Sequence, residues 1–140
     1  MTIALSTTLH TSFNDAVSRT REALAQQGFG VLTEIDMKAT LKAKLGDDME
    51  DYRILGACNP PLAHRAVNVD RQIGLLLPCN VVVRADPAAE NTVIVEAMNP
   101  RLLVEVTGEA DLEPVAEEVT AKLQAVIDCL TASQASPATP

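Results

Sequence analysis

Apolar and polar positions alternate from Thr2 to about Leu9, the period of a β-strand, and the run stops at Thr11-Ser12. Ser12 suits a helix N-cap, and Asp15 three residues on completes an acidic form of the capping box. Phe13, Ala16, Val17, Thr20 and Leu24 follow at helical spacing until Gly28, which tolerates positive φ and supplies a stop. The period returns to two after Gly30, with Val31, Thr33 and Ile35 expected on one face of a second strand and Leu32, Glu34 and Asp36 on the other. Met37, Leu41 and Leu45 then recur every fourth residue and end at Gly46, predicting a short helix. Tyr52 to Cys58 alternates again as a third strand. It is cut off by Asn59-Pro60-Pro61, where Asn suits an N-cap and Pro60 the first helical position.

In the second half, Ile73, Leu75 and Leu77 lead into Pro78, which cannot donate to a strand ladder and predicts a bend or bulge. The β-rich runs Cys79 to Arg84 and Thr92 to Ala97 flank the polar turn Asp86 to Asn91 and predict an antiparallel hairpin. Asn99-Pro100 repeats the Asn-Pro helix start and predicts a short turn through Leu103. Behind Asp111, the stripe Val115, Val119, Leu123, Val126 and Leu130 predicts a closing amphipathic helix. Residues 131–140 are rich in Ser, Ala, Thr and Pro and are expected to form a disordered tail. The order of elements predicts a single α+β domain over residues 1–130, a mainly antiparallel sheet with helices packed on one face. With Thr33, Ile35, Val81 and Val83 assigned to the uncovered face, that face is too apolar to leave to water, and a homodimer is expected.

Composition narrows the partners. The 140 residues are 47% hydrophobic, enough for one core, and 11 Lys and Arg against 19 Asp and Glu leave a net charge of −8. Such a chain lacks the basic face that a nucleic-acid backbone requires, and Phe13, Phe29 and Tyr52 are too few to stack bases. The longest apolar run, Ile73 to Val83, is broken by Gly74, Pro78 and Asn80 and falls short of the roughly 18 residues that span a bilayer. No membrane partner is expected. The first ten residues carry no positive charge ahead of their apolar positions, so a cytoplasmic location is expected. The odd set Cys58, Cys79 and Cys129 does not resemble a secreted disulfide framework and is expected to be reduced.

Candidate chemistry gathers at Gly56-Ala57-Cys58-Asn59-Pro60-Pro61 and Pro78-Cys79-Asn80. Cys58 stands where a strand gives way to a helix, so the positive end of that helix favours a thiolate or a small anionic ligand. Cys79 begins the next long strand, and if that strand lies beside the third one the two thiols share one end of the sheet. His64, six residues after Cys58, is a candidate to bring an imidazole to the same region, although CxxC and HExxH spacings are absent. The plain alternative is two cysteines serving as small buried hydrophobes. There is no third glycine after Gly28-Phe29-Gly30, no GxxxxGK[ST] and no GxSxG, so dinucleotide, P-loop and hydrolase readings have no support.

The stretches Gly28-Phe29-Gly30-Val31 with Glu34-Ile35-Asp36, Tyr52 through Pro60, and Leu76 through Val83 resemble the domain of unknown function 302 family, with the similarity running from Phe13 to about Leu130. The resemblance implies a small α+β protein with helices on one face of a sheet and a dimer. It implies no reaction and no catalytic residue. The leading expectation is a non-enzymatic dimeric module that binds a small ligand or soft metal near Cys58, Asn59, Cys79, Asn80 and His64. The alternatives are a thiol redox enzyme or sensor using Cys58 and Cys79, and an assembly protein acting through its sheet surface.

Overall fold

The computed structural model describes residues 2–135. Five strands, β1 (Ala4–Leu9), β2 (Gly30–Asp36), β3 (Tyr52–Cys58), β4 (Cys79–Ala85) and β5 (Val93–Met98), form one antiparallel sheet in the order β1-β5-β4-β3-β2. Five helices accompany it: α1 (Phe13–Gln26), α2 (Met37–Leu45), α3 (Pro60–Val69), α4 (Arg101–Thr107) and α5 (Glu113–Ala135). The fold class is the expected α+β. Among the described residues no helix is long and apolar enough to cross a membrane.

The local signals act where the sequence places them. Ser12 accepts a bond from the Asp15 N–H, Asp36 from the Ala39 N–H and Asn59 from the Leu62 N–H, each satisfying a donor that a helix start leaves without a partner. Gly28 and Gly46 take positive φ, at 81° and 72°, just after α1 and α2. Asp15 departs from the capping-box expectation, because its carboxylate accepts from the Thr11 hydroxyl at 2.6 Å and pairs with Arg19 at 2.8 Å.

Alternation along the strands divides the sheet into two faces. The face covered by α1 and α5 carries Leu55, Val81, Val83, Val95 and Ala97, all 1% exposed or less. On the open face one cross-strand row spans all five strands and another spans four. One runs Ile35, Ile54, Val82, Glu96 and Ser6; the other runs Tyr52, Arg84, Ile94 and Thr8.

This register corrects the face assignments. Thr33 and Ile35 lie on the open side, whereas Val81 and Val83 are core residues, and Val82 is the open-face valine of β4. Within β2 the pairing shifts between Val31 and Thr33, leaving Leu32 as an extra residue that is 67% exposed. Val31 therefore shares the covered face with Ala57, while Thr33 falls on the open one.

Three further expectations change. The stretch before Pro78 is a 3-10 helix, Arg71–Leu76, with Ile73 buried and Leu75 exposed, and it enters β4 through a cis Leu77-Pro78 bond. The apolar positions of α2 are not in the core: Leu45 is exposed and Met37 and Leu41 are only half-buried. Residues 131–135 belong to α5 rather than to a tail. The Thr131 hydroxyl meets that of Thr7 at 2.7 Å, and Arg19 donates to the Ser133 hydroxyl at 3.0 Å. The remainder of the expected tail, 136–140, lies outside the described residues.

Candidate functional site

At one end of the sheet, β3 runs into α3 through Cys58 and Asn59, and β4 begins at Cys79. Cys79 pairs with Ala57 across the ladder, so the two cysteines come from adjacent strands and sit one register position apart. Both cysteines are among the residues that line one small cavity of about 30 Å³, room for one atom-sized guest, although Cys58, next to Ala57 in β3, alternates away from the side that Ala57 and Cys79 share. Its walls are apolar: Phe29 and Pro78, Leu62 and Ala66 from α3, and Val115 and Val119 from α5.

All three cysteines are free thiols. Cys79 is 5% exposed, and burial, with the neighbouring Cys58 adding to it, pushes its pKa up to about 11. It is therefore a neutral thiol at ordinary pH. Cys58 is half-buried and is the more accessible sulfur. Cys129 is exposed on α5, with its Sγ 3.9 Å from Gln26 Oε1 and outside this cavity.

Asn59 holds the site's frame. Its Oδ1 accepts from the Leu62 N–H at 3.4 Å and its Nδ2 donates to the Gln27 carbonyl at 3.3 Å, tying the start of α3 to the end of α1. Gly28 makes this approach possible, since a Cβ there would stand 3.1 Å from Asn59 Nδ2. On the other side of Cys58, Gly56 lies under Thr33 and Pro78. A Cβ at Gly56 would fall 2.1 Å from Thr33 Oγ1 and 2.8 Å from Pro78 Cγ, so only glycine lets these groups close over β3.

Two expected members are elsewhere. Asn80 follows Cys79 in the same strand, so its side chain is on the other face, exposed beside Tyr52 and Met98. His64 is exposed on α3, where its Nε2 lies 3.3 Å from Asn68 Nδ2, and it does not line the cavity. The combination of Cys58, Cys79 and His64 as metal ligands does not form. Among the described residues no three His, Cys, Asp or Glu side chains gather into a cation-holding group.

The anionic-ligand expectation also loses its donors. Pro60 and Pro61 have no N–H, Leu62 N–H is taken by Asn59 Oδ1, and Ala63 N–H by the Asn59 carbonyl. The first four residues of α3 thus offer no unpaired N–H to an anion. Sequence reading missed Phe29, Val115 and Val119 as cavity walls. Their signal was the ordinary one of core positions, and the packing of α5 against α3 brings Val115 and Val119 to the cavity.

Comparison with known proteins agrees with this architecture. A family model described as "Domain of unknown function DUF302" matches residues 5–130. A crystal structure of an uncharacterized conserved DUF302 protein from Bacillus stearothermophilus is similar at 29% identity. The match covers 91% of this chain and 98% of that one, with a TM-score of 0.83. No curated protein matches the sequence.

Proposed function

The chain belongs to the DUF302 family, a membership that assigns no reaction, and from its site we propose a binding module that holds one soft, monovalent cation of the copper(I) or silver(I) class between Cys58 and Cys79. The observation that carries this reading is a small, mainly apolar cavity whose lining includes two free cysteines from adjacent strands. Thiolates select soft ions, and a set of two sulfur donors suits the linear geometry of a monovalent d¹⁰ ion rather than the tetrahedral set of zinc. Loading exchanges two thiol protons for the cation, leaving a bis-thiolate complex of charge −1 and releasing two protons to solvent. The positive end of the α3 dipole beside Cys58 offsets part of that charge.

Among the described residues no carboxylate or imidazole lines the cavity to act as a general base, which supports binding over catalysis. The redox alternative, a Cys58–Cys79 disulfide, draws on the same proximity. In it Cys58 is the attacking sulfur and Cys79 the resolving one, and the raised pKa of Cys79 opposes its deprotonation in either reading.

Anaerobic titration of the reduced protein with copper(I) against a chromophoric chelator tests the proposal. Wild type is expected to take one ion per chain, Cys58→Ser and Cys79→Ser to lose at least about a hundredfold in affinity, and Cys129→Ser to match wild type. Wild-type binding no tighter than that of the two variants contradicts it. A parallel thiol count after air oxidation separates the readings: loss of two thiols per monomer with no cation uptake favours the redox pair.

A further inference from the structure

The open face of the sheet holds a groove that shares no lining residue with the cysteine cavity. α2 packs against β3 and β2, and none of its residues lines this groove, which crosses from β3 over β4 and β5 to the start of β1. Its volume of about 340 Å³ falls within the range of small-molecule sites. Val82 pairs with Glu96 and Ala4 with Met98 along its floor. Tyr52 of β3 and Ile3, just ahead of β1, stand at its two sides, and Leu102 of α4 adds a further apolar wall. We propose that this groove binds a small organic cation, a free amine with a one-ring apolar body, whose ammonium rests on Glu96.

The polar part of the lining decides the sign of the ligand's charge. Glu96 is its charged residue, and among the described residues no Lys, Arg or His joins it there. Arg84 Nε donates to Glu96 Oε1 at 2.8 Å, which fixes the carboxylate and leaves Oε2 for a ligand. Asn80 Oδ1 and the Tyr52 hydroxyl add two further acceptor oxygens. An ammonium brings three donors to such a set, whereas a carboxylate or phosphate brings like charge against Glu96. Arg84 offsets part of the Glu96 charge, but the chain as a whole carries −8, and its field gathers cations. The Tyr52 ring is an aromatic wall, and a cation is attracted to such a face.

The apolar part decides the ligand's body. Val82, Met98, Leu102 and Ile3 come from four different segments and make a floor broader than an alkyl stem. That breadth suits the ring of a free amine better than a lysine side chain of another protein.

Titration of the full chain, followed through backbone amide shifts by NMR, tests the proposal with 2-phenylethylamine, 2-phenylethanol, 3-phenylpropionate and Nα-acetyl-lysine amide as probes. The phenylethylamine is expected to shift the Asn80, Val82, Glu96, Met98 and Leu102 amides saturably. The other three probes should each bind at least about tenfold more weakly, the alcohol for want of a charge-assisted bond. Glu96→Gln keeps an acceptor for Arg84 and should lower the affinity for the amine about tenfold while leaving that for the alcohol unchanged. Absence of a saturable shift, shifts centred on another surface, or equal binding of any other probe overturns the proposal. So does dependence of these amides on protein concentration alone, which would place a second copy in the groove. An unchanged amine affinity in a folded Glu96→Gln overturns it as well, and if that variant does not fold, the four probes on wild type decide.

Discussion

Two glycines and an asparagine fix the geometry on which the cysteine cavity depends. Gly56→Ala would force a methyl group onto Thr33 and Pro78, and a loss of about 1–3 kcal/mol is expected, the usual cost of overpacking. Combining it with Thr33→Ala removes the closest clash and should recover part of that loss in urea unfolding, which a purely local backbone effect at Gly56 would not allow. Asn59→Ala deletes both the α3 cap and the tether to Gln27, with an expected loss of about 1–2 kcal/mol.

Cys79 gives a prediction in pH. Its folded pKa is raised from 9.0 to about 11, so the native state keeps a proton that the unfolded chain releases. The contribution is whole below pH 9 and disappears as pH rises from 9 toward 11. A decline in stability of roughly 1–3 kcal/mol over that window is expected in wild type and should be flattened in Cys79→Ala. The capping asparagine and the helix-stop Gly28 were legible, because those roles are written in the local chain. Gly56 was not, because its need for a bare Cα comes from Thr33 in β2 and from Pro78 just before β4, both distant in sequence.

Elements read from the sequence carry over where periodicity and caps agree, as in α1, β3, α3 and the β4–β5 hairpin. They fail where a long-range contact overrides the local preference. A single extra residue at Leu32 moves Thr33 and Ile35 to the other face from Val31, and nothing in the alternation of β2 marks it. The composition of residues 131–135 suggests a tail, but Thr7 and Arg19 hold that turn of α5 through Thr131 and Ser133. Truncation after Leu130 is therefore expected to lower unfolding stability by about 1 kcal/mol, and the Thr131→Ala/Ser133→Ala variant of the full chain by a similar amount. Equal stability of truncated and full-length chains in urea titration would show that this turn adds nothing.

At the scale of the whole molecule, strand order decides what chemistry is brought together. The sequence placed Cys58 and Cys79 at strand ends but contained no sign that β3 and β4 are neighbours, and only that adjacency brings both residues to the lining of one cavity. The same register moves Asn80 to the open face, and the helical position of His64 directs it to solvent. What remains is the pair Cys58 and Cys79 beside a small cavity, and among the described residues no three His, Cys, Asp or Glu side chains gather into a cation-holding group. Copper-edge X-ray absorption on the copper(I)-loaded protein examines that set directly. The account predicts two sulfur scatterers around a linear, two-coordinate ion, whereas nitrogen or oxygen donors, or three or more sulfurs per copper, would contradict it.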